Sequence, residues 1–288
     1  MPLRRRTLLK LALGSSAALW AGRSRSAPPE SPSGSLHWLA TADSGSGDRN
    51  QIAIGAAMAA LHQRDPVDLV VMAGDNIYDQ GDIREVGAKF ERPYRELLRA
   101  GVPFHAVLGN HDIRTGNGAG QLAYPGLGMK GRWYSLRRGP VEFFMHETNV
   151  DWPQQRAWLK AALAASRAPW KVLVGHHPIY SAGFYGDDRE AISRLGPLLQ
   201  RHGVQLYING HDHHYERSRP IDGTTYLTVG NGGATLRPVV AGPNSARAVS
   251  TFGFTSLHAD AGVLTIEAWS SSGTRLDQAR LNRSGTLI

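Results

Sequence analysis

The chain has 288 residues, with 32 Lys and Arg against 24 Asp and Glu, no cysteine and a formal net charge of +8. A hydrophobic content of 41% with 19% charged residues excludes wholesale disorder, and the lack of cysteine excludes disulfides, thiolate metal sites and a cysteine nucleophile. Residues 1–26 hold six of the cations and no acids, which leaves 26 cations against 24 acids, so the net charge does not indicate a nucleic-acid partner.

The N-terminal residues have the pattern of an export signal. The pair Arg5-Arg6 precedes an apolar stretch over 11–21 that ends in small residues. Only 12 residues separate Lys10 from Arg23, too few to cross about 30 Å of hydrocarbon, so we expect no stable membrane anchor. Paired arginines ahead of a modest apolar run are typical of the twin-arginine type of signal, which carries folded proteins.

We therefore predict three segments. A twin-arginine-type signal peptide spans residues 1–26, a Pro/Ser-rich linker spans 27–35, and the remaining residues, 36–288, form one domain. Cleavage after Ala21 and cleavage near Ser26 both fit the small-residue pattern. The precursor is expected to engage the twin-arginine export machinery, and the mature protein is expected to be periplasmic or secreted.

Strands and helices alternate in the first part of this domain. Apolar runs predict strands over 36–42, 69–73 and 103–108, and the spacing of apolar residues predicts helices over 49–64 and 83–100.

The second part becomes richer in strands toward its end. Runs over 133–137 and 141–147 flank a Gly139-Pro140 turn and predict a hairpin. Helices are predicted over 152–166 and 191–201. The remaining predicted strands span 171–174, 204–208, 225–229, 252–258 and 263–269.

Five of the apolar strands end in a small cluster of Asp, Asn or His. Because ligand sites of α/β sheets lie beyond the carboxyl ends of the strands, we expect these clusters to meet. They supply carboxylate, phenol, amide and imidazole groups, from Asp43, Asp75, Tyr78, Asn110, His176, His211 and His213.

This donor set is suited to Fe, Mn or Zn, because it contains no thiolate. Seven ligands exceed one tetrahedral site and suit two ions about 3.5–4 Å apart that share a bridging group. Asp75 is the expected bridge, since a carboxylate has two oxygens. One residue separates His211 from His213, so an extended segment would direct both rings to the same face.

Five motifs in order resemble those of the calcineurin-like metallophosphoesterases, and the purple (tartrate-resistant) acid phosphatase branch is the most similar. The resemblance spans about residues 36–235, and it implies an α/β fold with a two-sheet β-sandwich flanked by helices (αββα) in a single catalytic domain. The motifs are Ala42-Asp43-Ser44-Gly45, Gly74-Asp75-Asn76-Ile77-Tyr78, Gly109-Asn110-His111-Asp112, Gly175-His176-His177-Pro178 and Gly210-His211-Asp212-His213.

The resemblance also implies a ligand assignment. The first ion, Fe(III), would be held by Asp43, Asp75, Tyr78 and His213. The second, a divalent Fe, Zn or Mn ion, would be held by Asn110, His176 and His211, with Asp75 bridging the two.

Hydrolysis of a small phosphate monoester by a metal-bound hydroxide is the implied reaction. His111 would contact the phosphate and donate a proton to the leaving group, and Asp112 could hold the His111 ring. The same metal pair would also serve a small-molecule phosphodiesterase. A non-catalytic binding module is the remaining alternative, although such a module would be expected to lack some of the ligands.

Four features are not explained by the ligand pattern. Tyr185 occupies a position where the branch usually has a histidine, and a phenol does not carry a positive charge. His177 and His214 neighbour predicted ligands but match no ligand position, so we expect them behind the ligands or at the surface. The Gly-rich run over 228–233 is interpreted as a turn, although its amides could line the pocket.

Overall fold

A computed structural model describes residues 34–150 and 153–288. The predicted signal peptide and nearly all of the predicted linker lie outside the described residues. Within the described part of the chain, no helix is long and apolar enough to cross a membrane.

Strands and short helices alternate through the first half of the chain. In order, the elements are β1 (Leu36–Thr41), α1 (Arg49–Arg64), β2 (Leu69–Met72), α2 (Arg95–Arg99), β3 (Phe104–Ala106), α3 (Ala119–Ala123), β4 (Tyr134–Arg138), β5 (Val141–Met145), α4 (Pro153–Ala165), β6 (Trp170–Val174) and α5 (Arg189–His202).

The rest of the chain is formed by strands. They are β7 (Leu206–Asn209), β8 (Tyr215–Ser218), β9 (Thr225–Val229), β10 (Ser245–Val249), β11 (Gly253–Ala259), β12 (Val263–Ser270) and β13 (Arg275–Asn282).

The strands form two mixed sheets. One has the order β13-β12-β11-β1-β2-β3, and the other has the order β10-β8-β9-β7-β6-β5-β4. In the first sheet β1, β2 and β3 are parallel, with Leu39 opposite Val70. In the second sheet β5, β6, β7 and β9 are parallel. Their carboxyl ends therefore lie at common edges, where the polar motifs follow.

The two sheets pack face to face over an apolar core. Trp38 of β1 meets Phe143 of β5 edge to face, with ring centroids 5.4 Å apart, and both side chains are fully buried. Helices α1 and α2 cover the outer face of the first sheet, and α4 and α5 cover that of the second. This arrangement confirms the predicted two-sheet sandwich flanked by helices.

The boundaries of the two longest helices follow from local chemistry. Asp48 precedes α1, and its carboxylate accepts from the backbone N–H groups of Asn50 and Gln51. Asp188 caps α5 in the same way, and Gly203 ends it in the left-handed conformation. The predicted bounds of α1 agree with the structure at both ends.

The prediction of one helix over 83–100 is wrong. The segment contains a 3₁₀ turn (Ile83–Glu85), a π-helical turn (Gly87–Glu91) and α2. Pro93 lies between the last two, and a proline has no N–H to continue a helical ladder.

The strands β8, β10 and β13 were not predicted from the sequence. β8 and β13 consist largely of polar residues, and the apolar residues of β10 are mostly alanine, so none of the three has the run of large apolar residues that indicates a strand. They are strands because neighbouring strands supply their hydrogen-bond partners.

Candidate metal centre

The predicted ligands converge at one end of the sandwich. They lie in the loops that follow β1, β2 and β3 of the first sheet and β6 and β7 of the second. Each loop begins where a buried parallel strand ends, so the five strand ends bring together side chains that are up to 170 residues apart in sequence.

Three of the seven side chains form a first cluster. The Tyr78 hydroxyl donates to Oδ1 of Asp43 at 2.9 Å and lies 3.2 Å from Nε2 of His213. Nε2 of His213 is 3.4 Å from the same Asp43 oxygen. A carboxylate, a phenol and an imidazole nitrogen thus face a common point.

Three others form a second cluster. Oδ1 of Asn110 lies 3.0 Å from Nε2 of His176 and 2.9 Å from Nδ1 of His211. His176 is fully buried. An amide oxygen and two imidazole nitrogens therefore face each other within hydrogen-bond distance.

Asp75 lies between the two clusters. Its Oδ2 is 3.6 Å from Nε2 of His176, and its Oδ1 accepts from the backbone N–H of His111 at 2.9 Å. One ligand atom each of Asp43, Asp75 and His176 lie within 4.8 Å of one another. Asp75 is therefore placed where a carboxylate could contact ions in both clusters.

The backbone is bent sharply at three of these residues. Asp43, Asp75 and His211 have φ values of 53°, 52° and 66°, in the left-handed region that residues with a Cβ rarely adopt. Such strain persists where the surroundings fix it, and it concentrates at functional sites. The expectation that His211 and His213 extend to one face is wrong, because the bend at His211 directs the two rings into different clusters.

Two glycines allow the carboxylates to approach. A Cβ on Gly109 would lie 2.2 Å from Oδ1 of Asp75, and one on Gly210 would lie 2.3 Å from Oδ2 of Asp43. No side chain fits at these distances, so the glycines of both motifs are required by packing against the ligands.

The imidazoles are oriented through their second nitrogens. Nδ1 of His176 lies 2.9 Å from the carbonyl of Ala73, and Nδ1 of His213 lies 2.8 Å from that of Thr235. A carbonyl only accepts, so each Nδ1 carries the proton and each Nε2 is left with a lone pair for a cation.

The electrostatics of the site also suit cations. Burial raises the pKa of the Asp43 carboxyl, but the interactions with His213, His176 and His211 outweigh it and hold the pKa below its ordinary value. Burial and then the charges of Asp43 and Asp75 raise the pKa of the Tyr78 phenol far above its ordinary value. Burial, followed by the charges of neighbouring imidazoles, lowers the pKa of His211 to about 2. The donor set thus fits a pair of metal ions that would be needed to ionise the phenol.

His177 lies closer to the centre than the sequence indicated. One ring nitrogen each of His176, His177 and His211 lie within 4.8 Å of one another. Nδ1 of His177 lies 2.8 Å from the hydroxyl of Thr148, and burial is the main cause that lowers its pKa to about 3. His214, in contrast, is buried behind the site, and its Nε2 lies 3.2 Å from Glu216.

Asp112 does not hold the His111 ring, contrary to expectation. Its buried carboxylate accepts from the backbone N–H groups of Gly109, Asn76 and Ile77 and from the side chains of Asn76 and Gln121. Burial and the charge of Asp75 raise its pKa to about 7. Asp112 therefore ties together the two loops that carry Asp75 and Asn110.

The His111 ring is held by other groups. Nδ1 lies 2.8 Å from the carbonyl of Asp79, and Nε2 lies 3.1 Å from Nη2 of Arg114. The ring also packs edge to face on Tyr78, with centroids 4.5 Å apart. Arg114 is not among the residues predicted for the site, although its position three residues after His111, in a turn, could have indicated the contact.

Tyr185 and the Gly-rich run after β9 border the same centre. The Tyr185 ring stacks on His211, with centroids 4.1 Å apart. The run packs against the loop after β1: Gly232 N–H donates to the carbonyl of Ala42, and Ala234 N–H donates to that of Asp43. The run is more than an ordinary turn, because these hydrogen bonds hold the backbone of the loop that carries Asp43.

The part of the chain that carries the seven predicted ligands is similar to known phosphoesterases. The family model "Calcineurin-like phosphoesterase" matches residues 36–215. Purple acid phosphatase 17 of Arabidopsis thaliana is 32% identical over a 253-residue alignment that covers 75% of each chain. Tartrate-resistant acid phosphatase type 5 of Rattus norvegicus is 29% identical over 202 residues, 57% of this chain and 61% of the relative.

Solved structures share the fold. Purple acid phosphatase PPD1 from yellow lupin (Lupinus luteus) seeds superposes with a TM-score of 0.78 at 22% identity, covering 89% of this chain and 55% of that chain. GAP50, described as the anchor in the inner membrane complex of Plasmodium, superposes with a TM-score of 0.76 at 24% identity, covering 86% and 89%. At these identities the similarity shows the fold alone.

Proposed function

Since the chain belongs to the calcineurin-like phosphoesterase family and to its purple acid phosphatase branch, we propose that it hydrolyses phosphate monoesters. Membership makes it a metal-dependent phosphoester hydrolase with a dinuclear centre. The proposal goes beyond family membership in one respect, the preference for monoesters over diesters. The proposed substrate is a small phosphorylated molecule.

One observation carries this proposal. All seven side chains with ligand atoms converge in two clusters that Asp75 joins, and each is held by hydrogen bonds to its neighbours or to the backbone. A binding module without activity would have no need to keep Asp43, Asp75 and His211 in strained backbone conformations.

The donors suggest which ion each cluster would hold. Asp43, Tyr78 and His213 offer two anionic oxygens when the phenol is ionised, which suits a trivalent ion such as Fe(III). Asn110, His176 and His211 offer neutral donors, which suit divalent Fe, Zn or Mn. Such a pair supplies Lewis acidity to phosphoryl oxygens and lowers the pKa of water.

His111 is the proposed proton donor. Its backbone N–H is fixed on Asp75, so its ring lies beside the centre without occupying a ligand position. With Nδ1 donating to Asp79, the proton for a leaving alkoxide would come from Nε2, the nitrogen that now accepts from Arg114. Donation therefore requires Nε2 to take up a proton first, which makes the ring an imidazolium, and it requires Arg114 to give way when substrate is bound.

The location of the protein is a separate proposal that rests on the sequence. The Arg5-Arg6 pair and the short apolar run support export in the folded state, with release to the periplasm or outside the cell. Folded export would allow the metals to be inserted before competing ions are met.

The function is tested on purified protein of known metal content. Phosphomonoesters and phosphodiesters are assayed side by side, with elemental analysis and a visible spectrum of the same sample. We expect two metals per chain, faster hydrolysis of monoesters, and a charge-transfer band that Tyr78→Phe removes. Faster hydrolysis of diesters would contradict the monoester assignment, and an active but colourless protein would contradict only Fe(III).

A further inference from the structure

Three residues form a rim beside the candidate metal centre: Phe184, Tyr185 and Arg237. Cζ of Arg237 lies 5.0 Å from the ring centroid of Phe184 and 4.9 Å from that of Tyr185, within the range of cation–π attraction. Nη2 of Arg237 also donates to the Tyr185 hydroxyl at 3.3 Å. The Tyr185 ring stacks on His211, so the rim is in direct contact with a predicted ligand.

The rim is anchored to the same loop as the ligands. Asp212, between His211 and His213, accepts from the hydroxyl of Ser181 at 2.6 Å and from the backbone N–H of Phe184 at 3.1 Å. The backbone N–H of Arg237 donates to the carbonyl of His213 at 3.0 Å. Both sides of the rim are therefore fixed relative to the metal centre.

Arg237 has hydrogen-bonding capacity that the protein does not use. Its Nη1 is buried and has no hydrogen-bond partner. No carboxylate of the described residues lies within ion-pair distance of this guanidinium. A buried, unpaired N–H of a charged group is costly, and an anionic ligand would remove that cost.

Arg114 is the other arginine near the centre, and its guanidinium is engaged differently. Its Nη1 donates to the carbonyl of Asp79 at 3.1 Å, and its Nη2 donates to Nε2 of His111. Arg114 thus holds the His111 ring, whereas Arg237, which packs on Tyr185, keeps a donor without a partner.

We propose that Arg237 binds the phosphoryl group of the substrate and that Tyr185 positions it. The proposal rests on the proposed phosphatase function. A guanidinium presents donors in a planar fork that matches phosphate oxygens, and it remains charged at every working pH. Tyr185, which is neutral, contributes no charge of its own; it supports the guanidinium through its ring and hydroxyl.

The test measures phosphate binding and catalysis separately. Arg237→Gln is compared with the wild type, each at full metal content, by calorimetric titration with inorganic phosphate and by steady-state kinetics on a phosphomonoester. Loss of a charge-assisted contact predicts a rise of about 10- to 100-fold in both Kd and KM, with a smaller change in kcat. Arg237→Lys should recover part of the affinity, because a point charge lacks the fork.

A matched control removes the same charge elsewhere. Arg275, on the edge strand β13 of the first sheet, also lies over an aromatic ring, Trp269, at 6.0 Å, and it pairs with Glu267 of β12. Arg275→Gln should leave Kd and KM unchanged.

Tyr185 variants test the positioning role. Tyr185→Phe keeps the ring under the guanidinium and should change the Kd for phosphate by no more than a few-fold, because the 3.3 Å hydrogen bond is weak. Tyr185→Ala removes the support and should weaken phosphate binding toward the level of Arg237→Gln.

Two results would overturn the proposal. One is an unchanged Kd and KM in Arg237→Gln, and the other is loss of metal from that variant, which would make Arg237 a structural residue.

Failure of the proposed phosphatase function would be seen in a separate measurement. A wild type that binds phosphate without hydrolysing monoesters contradicts the function, while the Kd of Arg237→Gln still decides the role of Arg237.

Discussion

Nη2 of Arg114 lies 3.1 Å from Nε2 of His111, so the nitrogen proposed to donate a proton accepts a hydrogen bond in this structure. A guanidinium has no lone pair to accept with, which fixes the direction of the bond. The contact holds the ring beside the centre, where the same Nε2 also lies 3.9 Å from Oδ2 of Asp75. It also makes His111 a group that must change partner during the reaction.

His111→Ala is expected to keep both metals and to lower turnover by about 10²- to 10⁴-fold, the usual effect of losing a general acid. Elemental analysis and kcat, measured on the same sample, check this. Arg114→Gln is the paired variant, which should keep the metals and cost far less turnover. If His111→Ala loses metal, His111 is a ligand or a support of one.

Asp75→Ala is expected to abolish hydrolysis and to empty both metal positions. Asp75 is the carboxylate between the two clusters, and without it two cations would face each other with less negative charge between them. Elemental analysis after metal loading gives the result. Asp82→Ala, which removes a half-buried carboxylate that pairs with Arg84 outside the two clusters, serves as the control. Retention of two full equivalents of metal would show that Asp75 does not bridge.

Asp112→Asn is expected to weaken metal affinity by about 10- to 100-fold, although Asp112 contacts no ligand position directly. The two carboxylate oxygens accept from N–H groups of both ligand loops and from Gln121. In the Asn variant, the side-chain NH₂ group would face these N–H donors and could not accept from them. Metal competition titration measures the loss, with Asp65→Asn at an exposed position as the control. Unchanged affinity would mean that the two loops hold their positions without this carboxylate.

The ion pair of Arg217 and Asp277 joins the two sheets and predicts a pH dependence of stability. Burial raises the pKa of Asp277, but the hydrogen bonds and charge of Arg217 outweigh it and hold the pKa below its ordinary value. The unfolded chain therefore binds more protons, so the stabilisation is present above a pH of about 4 and is lost as the pH falls through the folded pKa.

Asp277→Asn should accordingly lower the free energy of unfolding by about 3–5 kcal/mol at pH 7, because Arg217 is left buried without its partner. The difference from the wild type should shrink below pH 4. Denaturant titrations at pH 7, 5 and 3 measure it at equal metal content. Glu267→Gln, in a more exposed pair, should cost no more than about 1 kcal/mol. A difference that persists at pH 3 would show that charge is not its cause.

Changing Arg5 and Arg6 together to Lys is expected to retain precursor in the cytoplasm, because the paired arginines are the feature that distinguishes the twin-arginine signal. Fractionation followed by immunoblotting of precursor and mature forms measures this. A Lys10→Arg variant, which keeps the charge, is the control. Continued export of the double-lysine variant would indicate the general secretory route.

The sequence alone determined the parts of the protein that depend on neighbours along the chain. Apolar runs that end in Asp, Asn or His predict both β1, β2, β3, β6 and β7 and the place of the ligands, because parallel strands share a carboxyl edge. Local capping likewise fixed α1 at Asp48. The pattern is local, so it could be recognised without knowing the fold.

The tertiary structure alone decided what depends on residues distant in sequence. The polar strand β13 exists because β12 pairs with it, and the carboxylate of Asp112 faces Asn76 and Gln121 and not the adjacent His111. Arg237 lies near the centre because its backbone N–H donates to His213 and its guanidinium contacts Tyr185, 52 residues earlier, which stacks on His211. No spacing in the sequence encodes such contacts, since they arise when the two sheets pack and bring separate loops to one edge.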